Sequence, residues 1–566
     1  MHIPRKFLLM SVLLVALPLP TLFWMTFEGS GSMEGLETIP RWLSLCLFFW
    51  WPLGMLLSGS KAPAFERRSR WVRFFAGYAL SIPLYFLSLF VVYPAFGASF
   101  HPLAHGIWRV YLTATPQFYL IVFAVHYLMR TRVARPALIV TAVFFVAGFF
   151  LPLWLSAQAS FNWPKPTISR VAIEGARIVD AESDKIVEGK TVYIENGRIT
   201  AVAGGAPDAG WTRIDASGHY LLPGLIDVHT HLQSPVEVRA GFQFGYFMRS
   251  TMSSWAPQRR AYLESGVTTV RDLGGPAKSS FRMRREIEEK QMLGPRLLTA
   301  GRLVTSPRGH PVSTIWNAGV SREGAILASD ERTMIEGLDR NLADGPPDVV
   351  KFVHGTIGRA KEELSPALLA RGIAWAREHR LSAVVHAETP LEFEDAIRAG
   401  ATGVEHAAYL DTLPPSLVAL VRENRPFIDP TFGEFETDMI LRKMPQAKRD
   451  AELTRRYEVA HELARAGARI VIGTDAPLVA YGTGYHDELD HFVRACFGNA
   501  DILAMATVVN AAYVGRAADL GKVAAGYRAD LVLARDNPLE DLKTLRHPLW
   551  TMRDGQIVAG KVPGNK

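Results

Sequence analysis

The chain has 566 residues, too many for one ordinary domain, and 49% of them are apolar. Two cysteines, Cys46 and Cys496, exclude a disulfide framework, and a formal net charge of +7 gives no reason to expect nucleic acid. Much of the basic excess lies in short loops between apolar stretches, where membrane topology is the simpler cause.

Five apolar stretches come first, at about 7–27, 42–59, 74–96, 108–130 and 136–157. At 1.5 Å per residue each is long enough to cross about 30 Å of hydrocarbon. The first is too long for a signal peptide and lacks a small-residue cleavage site. Basic residues mark alternate loops: Arg5 and Lys6; Lys61, Arg67, Arg68, Arg70 and Arg73; Arg130, Arg132 and Arg135. The intervening loops 28–41 and 97–107 hold only Arg41. Basic loops stay cytoplasmic, so the expectation is a multi-pass inner-membrane protein. Its amino terminus would lie in the cytoplasm, its lipid partner would be the bilayer, and its remaining chain would be extracytoplasmic.

From 168 the pattern changes to short alternating strands, "RVAIEGARIVD", "TVYIENGRITAVAG" and "GHYLLPG", with turns at Asn196-Gly197 and Gly204-Gly205. Eight short apolar strands follow, separated by helical segments such as 364–379 and 447–466. They are "LLPGLIDVHTH", "TTVRDLG", "RLLTAGRLV", "DVVKFVHG", "SAVVHAE", "GVEHAA", "FIDPTF" and "RIVIGTD". That alternation predicts an α/β fold, a (β/α)8 TIM barrel with its site at the carboxyl ends of the strands. Strands in "ADLVLARDNP" and "PLWTMRDGQIVAG" then predict a small β-sandwich split around the barrel. The expected domains are a five-helix transmembrane region at 1–159, a linker at 160–167, the sandwich at 168–220 and 519–561, and the barrel at 221–518. The aromatic-rich loop 232–252 reads as a lid or as a surface lying against a membrane.

Placing the strands brings polar residues to one mouth. The first strand offers His229 and His231, whose i, i+2 spacing puts both on one face. Lys351 stands on the fourth strand, His386 on the fifth, His406 on the sixth and Asp475 on the eighth, in "GTDAP". Each alone has an ordinary explanation as a hydrogen-bonding or capping residue. Together, four imidazoles and a carboxylate are ligands for zinc or a similar divalent ion. Arg271, Arg308 and His354 also fall near strand ends and suggest a basic rim, with Tyr485 and His486 as pocket walls.

"PGLIDVHTHL", "GVTTVRDLGG", "GTDAP" and "AGYRADLVLARDNPLED" make residues 168–561 resemble the amidohydrolase superfamily. The likeness is to its imidazolonepropionase-like and zinc dipeptidase-like (prolidase-type) branch, and the five apolar spans lie outside that pattern. The resemblance implies two divalent ions, zinc by expectation. His229, His231 and Asp475 would hold the more buried one, and His386 and His406 the other. Lys351, carboxylated by carbon dioxide to a carbamate, would bridge them. It further implies a shared hydroxide as nucleophile, Asp475 as catalytic proton shuttle and His310 as the group stabilising the substrate carbonyl. The leading function is then a metal-dependent hydrolase of amide bonds in dipeptides or N-acyl amino acids. A lactonase, esterase or phosphotriesterase on the same site is the alternative, and a non-enzymatic sensor or transporter a third reading. The sequence leaves the oligomeric state open.

Overall fold

The computed structural model describes residues 163–164, 168–233, 254–314, 321, 323–355 and 360–561. All of them belong to one compact unit built from Gln158–Arg239 and Ser253–Lys566.

At its centre run eight parallel strands. In chain order they are Leu225–Thr230, Val267–Asp272, a third that runs Arg296–Thr299 and resumes at Leu303–Thr305, Val349–Val353, Ser382–His386, Gly403–Glu405, Phe427–Asp429 and Arg469–Ile470. Successive strands pair in parallel register. The ring closes where the Val228 amide donates to the Ile472 carbonyl at 3.4 Å and the His231 amide to the Ala476 carbonyl at 2.7 Å. Helices such as Ala277–Glu288, Pro366–Glu378 and Gln446–Ala466 follow the strands. The strands are therefore covered on both faces, which is why they read as apolar runs rather than as alternation.

Two further sheets pack against each other. One orders its strands as Arg198–Ala203, Thr191–Glu195, Arg170–Glu174 and Thr212–Asp215. The other joins the two ends of the described chain, because Tyr220–Pro223 pairs antiparallel with Leu531–Ala534. Val171, Ile173 and Val192 from the first sheet meet Leu221, Leu531 and Trp550 from the second in one core.

The expected transmembrane part of the fold class is corrected. Among the described residues no helix is long and apolar enough to cross a membrane. Gln446–Ala466 has the length, 21 residues, but it carries Lys448, Glu452, Arg455, Glu458, Glu462 and Arg465. Each such charge at a bilayer centre costs about 2.5–3.5 kcal/mol. The five spans expected before residue 158, and 234–252 of the loop, lie outside the described residues. The transmembrane helices, the bilayer as partner and the extracytoplasmic location are withdrawn with them.

Barrel and sandwich are tied by a buried ion cluster. Arg296, 1% exposed on the third strand, places Nη2 3.0 Å from Asp530 Oδ2 and 2.9 Å from Asp554 Oδ1. Arg296→Ala leaves both carboxylates buried without that partner. It is expected to cost about 3–5 kcal/mol of stability, read as a lower urea midpoint; a shift below about 1 kcal/mol refutes the assignment.

Candidate metal centre

The barrel brings the six expected metal-site side chains to one end. His229 and His231 leave the first strand on one face, with ring centres 5.7 Å apart. Lys351 projects from within the fourth strand and is 2% exposed. The His406 ring lies 4.3 Å from that of His386 and 5.0 Å from that of His229. Neighbouring residues of a strand face opposite ways, yet Glu405 and His406 both turn inward. The break comes at His406 itself, whose φ of 72° is left-handed; Thr431 and Asp475 share that conformation at 51° and 52°. Such backbone costs of order 1–3 kcal/mol per residue and persists where the surroundings over-determine it.

The arrangement fits divalent cations. Asp475 Oδ1 stands 3.3 Å from His229 Nε2 and 3.2 Å from His231 Nε2. Two bonds of about 2.1 Å to one tetrahedral ion separate their donor atoms by about 3.4 Å. His231 Nδ1 donates to the Gly274 carbonyl at 2.8 Å. In the neutral ring that leaves the Nε2 lone pair facing a carboxylate. Two acceptors so close need a cation or a proton between them. His229 repeats the pattern: its Nδ1 meets Glu405 Oε2 at 3.0 Å, which leaves Nε2 for the centre. Thr431 Oγ1 donates to the Pro430 carbonyl and so accepts from His406 Nδ1 at 3.0 Å. Around these rings Lys351 Nζ, Glu388 Oε1, Glu405 Oε2, Asp429 Oδ2, Glu434 Oε2 and Asp475 Oδ1 are buried without a well-formed hydrogen bond. Buried polar atoms are rarely left so, and the carboxylate oxygens among them favour a cation at this place. His229, His231 and Asp475 form one group with ligand spacing, and His229, Glu405 and Asp429 another.

The protonation states of His229, His406, Asp475 and Lys351 suit ligation, whereas the Asp475 carboxylate, acting against burial, raises His231 until a cation takes the proton's place. Burial, with Lys351 adding, lowers His229 to about 4. Burial pushes Asp475 up, but His229, His231 and Lys351 together pull it down to about 2. Burial also pulls the Lys351 amine down, against the opposing charges of Glu405 and Asp475. Burial holds His406 and His310 well below the ordinary imidazole value. Neutral imidazoles, an ionised carboxylate and an amine driven toward neutrality are the forms that bind metal or accept carbon dioxide.

The Amidohydrolase family model matches residues 220–558. The chain belongs to the amidohydrolase family. It is a metal-dependent hydrolase acting on carbon–nitrogen bonds. It is 26% identical over 360 residues to an ochratoxinase of Aspergillus niger, covering 58% of this chain and 72% of that protein. A dihydroorotase of Trichlorobacter lovleyi is 45% identical over 64 residues, only 11% of this chain and 15% of that enzyme. Among solved structures, a putative prolidase from Bifidobacterium longum superposes with a TM-score of 0.59 at 26% identity, covering 71% of this chain and 97% of that one.

In this amidohydrolase the expected rim residues divide. Arg271 is no rim residue: at 1% exposure it donates to the Val228 carbonyl at 2.7 Å, reaches Glu405 at 3.4 Å and lies 4.0 Å from the Tyr513 ring centre. His354 is 2% exposed and donates to the Leu364 carbonyl at 2.7 Å. Tyr485 donates to the Ile226 carbonyl and His486 to that of Ser265, both at 2.9 Å, so these two brace the barrel rather than line a pocket. His310 does reach the centre, its ring 5.2 Å from that of His386. Arg308, two residues earlier, is exposed. Sequence reasoning passed over Glu405, Asp429, Thr431, Glu388 and Asp227. The available signal was position: Glu405 precedes His406, and Asp429 ends the seventh strand as the histidines end theirs.

Gly473 is a tight joint beneath the centre. A Cβ there would stand 2.1 Å from Asp429 Oδ2 and 2.6 Å from His229 Cβ. Gly473→Ala is expected to cost about 1–3 kcal/mol by overpacking and to lower bound metal while every ligand remains. Elemental analysis and thermal unfolding of the variant check this; unchanged values for both count against the packing argument.

Proposed function

We propose that the protein hydrolyses amide bonds in small carboxylate-bearing substrates, dipeptides or N-acyl amino acids, at a centre for two divalent ions. The observation that carries the reading is the concentration of buried, unbonded donor atoms around His229, His231, Lys351, His386, His406 and Asp475. His229, His231 and Asp475 would hold one ion and His386 and His406 the other. Lys351 would join them as a carbamate, its buried amine having no hydrogen-bond partner. Two such ions, zinc being the proposed metal, supply a water whose pKa falls to near neutrality and a Lewis acid for the carbonyl.

The chain's own residues do the rest. Asp475 takes the proton of the attacking water and delivers it to the leaving nitrogen. His310, in the loop beside His386, stabilises the carbonyl oxygen as charge develops on it. With Arg271, His354, Tyr485 and His486 committed to internal contacts, recognition of the substrate carboxylate falls to the exposed Arg308. An arginine holds a carboxylate bidentately. The likeness to the putative prolidase and to the ochratoxinase supports an amide substrate.

The test is a panel of dipeptides and N-acyl amino acids set against neutral esters and lactones. The expected result is release of free amino acid from some of the first group. Turnover of the neutral compounds with every carboxylate-bearing amide inert replaces this reading with an esterase or lactonase. Loss of a charge-assisted contact costs about 1.5–3 kcal/mol, so Arg308→Ala should raise KM roughly tenfold or more with kcat little changed. Asp475→Asn should instead abolish kcat. Elemental analysis should give close to two ions per chain, with Lys351→Ala losing one of them.

A further inference from the structure

Beside His406 stands an acid that belongs to neither group with ligand spacing, Glu434. It is the third residue of the helix Phe432–Leu441, which follows the seventh strand, and it is 8% exposed. Its Oε1 accepts from Tyr409 OH at 2.8 Å. Its Oε2 is buried without a hydrogen bond and lies 3.9 Å from His406 Nδ1, whose proton is directed to Thr431 Oγ1.

The usual partners of such an acid are committed elsewhere or are absent among the described residues. An acid in the first turn of a helix ordinarily serves the free amides there. Here Phe432 and Gly433 donate theirs to Glu488, at 2.8 and 2.7 Å. A buried carboxylate is ordinarily paired with a cation, yet no described lysine or arginine reaches Glu434. The charged side chains that act on it most strongly, Asp475, Glu388 and Asp438, are all negative. Tyr409 is itself fixed. It ends the short turn Ala407–Tyr409 that His406 opens, and its ring stands edge-on to that of His406 at 6.5 Å and to that of Phe435 at 5.0 Å. The hydroxyl therefore holds one carboxylate oxygen in place and leaves the other on the His406 side.

We propose that Glu434, held by Tyr409, forms a subsite for a substrate ammonium group, so that the substrate is a dipeptide with a free amino terminus rather than an N-acyl amino acid. The proposal rests on the amide-hydrolase reading given above. The α-ammonium of a dipeptide is separated from the scissile carbonyl by a single carbon. The group that receives it must adjoin the centre, as Glu434 adjoins His406. An ammonium brings three donors and the positive charge that this acidic surround lacks. An acylated nitrogen brings no charge and leaves the buried oxygen unpaired, which is how a polar site rejects an analogue. Arg308 then takes the carboxylate at the other end of the same molecule.

Paired kinetics on the full-length protein, with a panel of dipeptides and the same dipeptides N-formylated, tests this. The parent should favour the free amines by roughly tenfold or more in kcat/KM. Glu434→Gln keeps an oxygen for Tyr409 OH but loses the charge. It should cut that preference by roughly tenfold or more, chiefly through KM on the free dipeptide. Tyr409→Phe, which keeps the ring packing, should cut it less and in the same direction. The preference is a ratio within one preparation, so partial misfolding of a variant does not alter it. A parent that treats the two series alike overturns the proposal, and so does Glu434→Gln with the preference intact. Loss of bound metal from Glu434→Gln, with both series falling together, also overturns it and makes Glu434 a support of the ion at His406. Turnover of neutral esters with both amide series inert overturns the amide reading itself, an outcome visible in the parent alone.

Discussion

The structure depends on the closure of the eighth strand onto the first, and Asp227 is the residue that closes it. Fully buried, it accepts from the His229 amide at 3.1 Å, the Thr474 amide at 3.2 Å and Thr474 Oγ1 at 2.7 Å, with Tyr262 OH at 3.3 Å. One carboxyl group therefore clamps the backbones that carry His229 and Asp475. Burial raises it to about 7, against the lowering effect of these hydrogen bonds. The close pairing of Asp475 with two imidazoles follows from that clamp, because side-chain donors held on strands keep their spacing only as well as the strands do.

Beneath the centre, a second set of contacts orders the ligands from behind. Arg271 and Tyr513 hold Glu405, Tyr513 OH donating at 2.7 Å, and Glu405 faces His229 Nδ1. Burial and the adjacent Glu405 carboxylate push Asp429 well above its ordinary value. The arginine expected to greet substrate thus points the other way, where it balances the negative charge that fixes a histidine. Removing such a group acts through the ligand it steadies, not through the substrate.

The same concentration of unbonded donors that equips the centre weakens the protein without its ions. Orphaned carboxylates and imidazoles, together with the left-handed backbone at His406, Thr431 and Asp475, are unfavourable until positive charge joins them. Ligand binding to the folded state alone stabilises it by mass action. Fold and chemistry are therefore coupled at this end of the barrel, while the sandwich core and the Arg296 cluster lie apart from it.

The sequence by itself determined what depends on local periodicity. Apolar runs separated by helical segments marked the strands, and the i, i+2 spacing put His229 and His231 on one face. The strand ends also gave Lys351, His386, His406 and Asp475 a common address, because parallel strands joined by helices have no other way to arrange their carboxyl ends. Hydropathy could mark apolar stretches before residue 158, but it could not supply a membrane helix among the described residues, where charges interrupt every long helix. Tertiary structure alone decided the residues that act across strands. A strand-end arginine in "TTVRDLG" reads the same whether it faces solvent or Glu405, since that depends on a partner 134 positions away. Glu405 likewise carries no local sign of His229, the imidazole it faces. The ring nitrogen that His229, His231 and His406 offer is set by an acceptor from another turn or strand, and that contact exists only once the barrel has closed.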